Sequence, residues 1–181
     1  MLRDQKKNLI RTQQGFTFAE IMVALAIFVL ITGGAYTLAL TSQGHWDTNR
    51  VVIQLHQELR KASDWMVSDL RQAGPGAIFT VPADGTLYSS ISFKKGASIS
   101  SGALVWENDA IQYARGGTGS SQIIRTQGGN SKVLANKISG LTFRRQPTSP
   151  DILEITIQGA DTTERGRSAS YQLSFEIELR N

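Results

Sequence analysis

Apolar residues dominate the chain from Phe16 to Leu40, and no Asp, Glu, Lys, Arg or His lies between Ile21 and Gly44. About 20 such residues cross a bilayer core as a helix, so this stretch predicts a membrane span. The helical signal then changes rather than stops. Val52, Leu55, Leu59, Ala62 and Met66 recur at spacings of three and four and give one apolar stripe. Trp65 and Leu70 widen it. Gln54, Gln57, Glu58, Arg60, Lys61, Asp64, Asp69 and Arg71 read as a solvated face. Ala73-Gly74-Pro75 is a stop, because Gly suits a C-cap and Pro cannot continue a helix. A helix over Phe16–Ala73 would measure about 87 Å at ~1.5 Å per residue. The domain that follows needs no such length for its own core, so the first half must pack against lipid or other helices.

After Pro75 the period changes from helical to alternating. Leu87–Phe93, Ala103–Trp106, Ala110–Tyr113, Gln122–Arg125, Lys132–Leu134, Ile138–Phe143, Ile152–Gln158 and Tyr171–Leu179 predict strands. The last alternates most cleanly: Tyr171, Leu173, Phe175, Ile177 and Leu179 face one way, Gln172, Ser174, Glu176 and Glu178 the other. Turn residues separate the strands at Ala83-Asp84-Gly85, Gly116–Gly119, Gly128-Gly129-Asn130 and Pro147–Asp151. The expected fold is α+β, with an antiparallel sheet wrapped on the outer half of the helix. Gly33-Gly34 interrupts the helix at mid-length. The pair reads equally as a bend, a melted stretch, a close helix contact or the small residues common in membrane helices.

Charge locates a processing signal. Arg3, Lys6, Lys7 and Arg11 against Asp4 give the leader Met1–Gly15 a charge of +3 out of the chain's net +4, which leaves +1 for residues 16–181. The basic bias therefore argues for a cytoplasmic N-terminus and little for nucleic-acid binding. A conventional signal peptide is cut behind its apolar run, after small residues. Here the sharpest small-residue mark, Gly15, precedes the run; a lesser one lies near Ala39–Thr41. Glu20 is the one acid at the start of the apolar segment, where ionised groups need partners. One reading lets it snorkel to headgroups. The other pairs it with a new α-amino cation on Phe16, one turn away, after a cut behind Gly15.

The run RTQQG-FTFAEIMVALAIFVLI resembles the class III signal of type IV pilins and type II secretion pseudopilins. The resemblance implies that a prepilin peptidase cuts after Gly15 and methylates the Phe16 amine. It implies that Glu20 matches the fifth-position glutamate that aligns an incoming subunit with the filament. Thr17 fits the common Phe-Thr start, while Phe18 and Ala19 depart from the usual Leu and Ile or Val. The order of long helix then sheet is similar to the pilin fold. Major pilins often carry a helix proline and a C-terminal disulfide loop; here Thr37 stands near the proline's place, and the chain has no cysteine. The helix exit QLHQELRKASDWMVSDLRQAG resembles W-type minor pilins and J-type minor pseudopilins. So does the pairing of Ile111-Gln-Tyr113 with Ile124-Arg125, then Leu134-Ala135 and Leu141-Thr-Phe143.

Catalytic patterns are missing from the sequence. Without cysteine there are no thiol nucleophiles, thiolate metal sites or disulfides. His45 and His56 are too far apart for a helical metal pair, and GGTGSS at 116–121 lacks the Lys-Ser/Thr ending of a phosphate loop. No G-x-S-x-G nucleophile elbow occurs. Asp64 and Asp69 do not have the spacing of a catalytic pair. The loop acids Asp84, Glu107, Asp109, Asp151 and Asp161 are too scattered for a cation site. Arg115, Arg125, Lys132, Lys137, Arg144 and Arg145 could make a DNA-binding patch if they shared a face; a mixed-charge surface is the reading preferred.

The expected organisation is therefore a cleaved leader (1–15), a membrane or filament-core half-helix (16–45), an amphipathic half-helix (46–73) and a β-rich head (74–181). The expected function is that of a structural subunit, a minor type IV pilin acting in pilus assembly or initiation, and not an enzyme. The alternatives are a minor pseudopilin of type II secretion or a tip-located DNA- or adhesion-binding pilin. Its partners would be other major and minor pilins or pseudopilins, the prepilin peptidase, an inner-membrane assembly platform and lipid. It would sit in the inner membrane as a single-pass protein, N-terminus cytoplasmic and head outside, before entering a pilus or pseudopilus. No cofactor or metal is expected.

Overall fold

Helix α1 runs from Phe18 to Leu70 without a break, through Gly33-Gly34. The computed structural model describes residues 15–101 and 103–179; residues 1–14 of the expected leader Met1–Gly15 lie outside the described residues. The chain divides after Gly44 into two units.

In the first unit the helix stands exposed. Phe18, Val23, Phe28, Leu30, Ile31 and Leu38 all face outward. The segment is long and apolar enough to cross a membrane, and none of its most apolar window is buried. Its hydroxyls are self-satisfied. Thr32, Thr37 and Thr41 each donate to the carbonyl one turn back, on Phe28, Gly33 and Thr37, at 2.8, 2.9 and 3.0 Å. Such back-bonding hides a polar group that hydrocarbon could not satisfy.

In the second unit α1 becomes amphipathic, and Leu55, Leu59, Ala62, Met66 and Leu70 are fully buried. Helical structure ends at Leu70, earlier than the Ala73 stop read from the sequence. Residues 71–73 close the end through turn hydrogen bonds to Val67, Asp69 and Leu70, and a short 3-10 turn occupies Pro75–Ala77. Among the described residues nine strands follow: β1 (Ser90–Phe93), β2 (Gly96–Ser100), β3 (Ala103–Trp106), β4 (Ile111–Gly116), β5 (Gln122–Gln127), β6 (Asn130–Asn136), β7 (Ile138–Gln146), β8 (Ser149–Thr162) and β9 (Ser168–Glu178). They pair antiparallel as β1-β4-β5-β6, β7-β8-β9 and the hairpin β2-β3.

The fold is α+β, a long N-terminal apolar helix packed against antiparallel sheets in a pilin-like architecture. The helix stripe meets the inward faces of both large sheets: Ile91, Phe93, Ile111, Tyr113 and Ile123 from one, Leu141, Phe143, Leu153, Ile155 and Ile157 from the other. Two positions explain why glycine is needed. Gly128 and Gly129 both have positive φ (54° and 80°), as the two-residue turn joining β5 to β6 requires. At Gly159, on β8, an added Cβ would come within 2.8 Å of Leu59 and 3.2 Å of Leu55, so the missing side chain lets strand and helix approach.

Candidate functional site

The start of α1 is built as a capping box. Thr17 Oγ1 accepts from the Glu20 N–H at 3.3 Å, and Glu20 Oε2 accepts from the Thr17 N–H at 2.8 Å. The Thr17 hydroxyl adds a 2.9 Å bond to the same Glu20 oxygen. Reciprocal bonding of this kind satisfies two N–H groups that a helix start would otherwise leave unpaired. Gly15 and Phe16 precede the helix and are exposed, Phe16 at 86%. Nothing lies within 4 Å of the place where a Gly15 Cβ would stand. The Gly15–Phe16 peptide is therefore exposed and outside regular structure. The Glu20 carboxylate is held by Thr17. The sequence announces the motif as Thr17-x-x-Glu20, a capping-box spelling that the reading of Glu20 as a lone acid passes over.

A second polar constellation lies in the head, and here the sequence reading needs correction. Asp69, assigned to the solvated helix face, is 4% exposed. Its carboxylate accepts from Tyr113 Oη at 2.6 Å, Arg125 Nε at 2.7 Å and Lys95 Nζ at 3.0 Å. Arg125 continues to Gln127 at 2.7 Å, and Gln127 to Glu107 at 2.8 Å. Burial pushes the Asp69 pKa up, but the bonds from Tyr113, Arg125 and Lys95 outweigh it and hold the carboxyl below its ordinary range. Burial, then Asp69, pushes the Tyr113 phenol well above its own. The cluster ties the end of α1 to β4, β5 and the β1–β2 turn. Three donors from three separate segments converge on the one Asp69 carboxylate, so the cluster is built as a structural lock. The signal was available: the buried stripe Leu55, Leu59, Ala62, Met66 continues at the same three–four spacing through Asp69 to Ala73.

The six head cations proposed as a patch are held one by one. Arg115 donates to Ser120 and Ser139 carbonyls. Arg125 binds Asp69, Lys137 binds Asp161 at 2.5 Å, and Arg144 binds Glu154. Lys132 stands 4.0 Å over the Trp65 ring, so that tryptophan is a partly exposed cation–π platform rather than a wider apolar stripe. Arg145 is buried and donates to the carbonyls of Val81 and Pro150. Among the described residues no group of three or more His, Asp or Glu could hold a metal ion.

Residues 10–36 match the family described as the prokaryotic N-terminal methylation motif. The match covers Gly15 and Phe16, the capping box and the first part of the apolar helix. The motif indicates a type IV pilin or pseudopilin precursor processed by a prepilin peptidase. With the α+β fold it points to a structural subunit that assembles with other pilins, and the exposed apolar helix fits a membrane-anchored one. The chain matches no curated protein and no solved structure.

Proposed function

We propose that this chain is a minor type IV pilin. Its precursor inserts once into the inner membrane with residues 1–14 cytoplasmic and the head outside. A prepilin peptidase cuts after Gly15 and methylates Phe16, and the subunit primes or caps a filament rather than forming its bulk. The observation that carries this reading is the exposed Gly15–Phe16 peptide set directly before the Thr17–Glu20 capping box, at the mouth of an unburied apolar helix. The cut would place a new amine one residue from the N–H that already binds Glu20. In the low dielectric of a helix-packed filament core, that carboxylate would then neutralise its own amine or a neighbour's.

On this reading residues 1–15 are the leader, 16–45 the filament-core half-helix, 46–73 the amphipathic half-helix and 74–181 the head. The minor role is supported by the absence of a helix proline and of cysteine, and by the W- and J-type resemblance of the helix exit. The same features suit a minor pseudopilin, which differs in the apparatus it serves. Gly15→Asp is the test. It should block processing while leaving membrane insertion intact; normal mature protein from that variant would reject the cleavage assignment.

A further inference from the structure

An open sheet edge is a row of unpaired N–H and C=O groups that another strand can join. Three of the four edges of the two large sheets are protected. Beside β1, Phe79 donates to the Ser92 carbonyl at 2.8 Å and Lys94 to that of Ala77 at 3.1 Å. Beside β7, the Tyr88 and Phe143 backbones exchange both bonds, at 2.9 and 2.8 Å. The β6 edge is bent by a register shift, carries Lys132, and ends where Glu58 accepts from the Asn136 N–H at 2.7 Å.

Strand β9 is different. It pairs with β8 over 11 residues without a register shift, and holds no Pro, Gly or Lys. Leu179 N–H donates to the Asp151 carbonyl at 2.8 Å, and Thr163 N–H to the Arg167 carbonyl at 2.8 Å. These bonds fix the odd-numbered residues as those bonded toward β8. The N–H and C=O groups of Ser168, Ser170, Gln172, Ser174, Glu176 and Glu178 therefore point outward, and all six residues are exposed. No group among the described residues bonds to that backbone from beyond the edge.

The acids at one end of the strand define what fits there. Glu176 and Glu178 share the solvent face of β9, and neither has an ion-pair partner among the described residues. Glu176 stands directly opposite Glu154 on β8, whose own partner is Arg144 of β7. Like charges opposite each other in a sheet repel, and a cation on the next strand relieves them. On the helix-facing side Tyr171, Leu173 and Phe175 are only half-buried, so apolar surface stays open beside the edge. A second copy of β9 does not fit. Added in parallel, it would set these acids beside themselves. Added antiparallel across an axis normal to the sheet, it would reverse one α1 against the other, because the buried stripe of α1 lies on the sheet.

We propose that the β9 edge is the docking surface for an extended segment of a different subunit, which joins the sheet as a further strand. That segment carries Lys or Arg beside Glu176 and Glu178, and apolar residues beside Leu173 and Phe175. The main chain supplies affinity and the two acids select the partner. The proposal deepens the assembly reading and rests on it for the neighbour's place in the same membrane.

Residue-resolved amide exchange of the full chain in non-ionic detergent tests it, with a synthetic peptide alternating Val with Lys as the probe. The peptide should slow exchange severalfold at Gln172, Ser174 and Glu176, whose N–H groups point outward, and leave the neighbours bonded to β8 unchanged. Ser174→Pro removes one outward N–H and no bond to β8, so it should abolish the effect while keeping the wild-type thermal midpoint. A peptide alternating Val with Glu should protect nothing, and Glu176→Lys combined with Glu178→Lys should reverse the preference. No protection by the lysine peptide would overturn the proposal. So would equal protection by both peptides, or an effect indifferent to Ser174→Pro. Protection that rises with chain concentration alone would give the edge to a second copy and overturn it as well. None of these readouts depends on a cut at Gly15, so the proposal and the cleavage assignment fail separately.

Discussion

The Tyr113 hydroxyl donates a 2.6 Å hydrogen bond to Asp69, joining a strand of the first sheet to the last turn of α1 across 44 positions of sequence. Arg125 and Lys95 bind the same carboxylate, so removing Asp69 leaves a phenol and two cations without their acceptor. Breaking a buried ion pair from one side costs about 3–5 kcal/mol. Because the cations retain some access to water, Asp69→Ala should cost close to the lower end, about 3 kcal/mol. Chemical unfolding of the full chain in detergent, followed through the fluorescence of Trp65 and Trp106, measures it.

The same carboxylate sets an acid limb. Its folded pKa is depressed, so its stabilisation is present above the unfolded value of about 3.9 and is lost as pH falls from there through the folded pKa. Asp69→Asn should be less stable than wild type at pH 7 and should lose less than wild type on moving from pH 5 to pH 2.5. Parallel acid limbs in the two proteins would place the acid sensitivity elsewhere.

The capping box separates two roles for Glu20. Thr17→Ala removes the hydroxyl cap and should speed amide exchange at Glu20 severalfold, while Thr17→Ser should not. Both should still be cut at Gly15, whose peptide lies outside the box. Glu20→Ala should also be cut, but should be depleted from sheared filaments or initiation complexes. Wild-type incorporation of Glu20→Ala would remove the carboxylate from assembly.

Gly159 tests how closely β8 must approach the helix. A valine there would drive its Cβ into Leu59 and Leu55, and overpacking of this kind costs typically 1–3 kcal/mol. Gly76, with open space around it, should accept alanine with little change in the same unfolding assay.

The elements with strong periodicity were legible in the sequence. The helix, its stripe, the turn glycines and β9 follow from spacing alone, and the α+β class follows from their order. Strand β2 was missed because Gly96–Ser100 has no buried alternation; it is held by its hairpin partner β3 and stays largely exposed. Asp69 was misread because residue type outweighed position: an acid on an otherwise apolar stripe looks solvated until the cross-sheet partners Tyr113 and Arg125 are known. The capping box was spelled at 17–20, yet the apolar setting of Glu20 drew attention to its charge rather than to its place in the first helical turn.

The proposed assembly role requires a cut between Gly15 and Phe16. Intact mass and N-terminal sequencing of the protein from its native membrane test it directly. A chain beginning at N-methylated Phe16 is the predicted result. A chain retaining Met1, or beginning near residue 40, would contradict it.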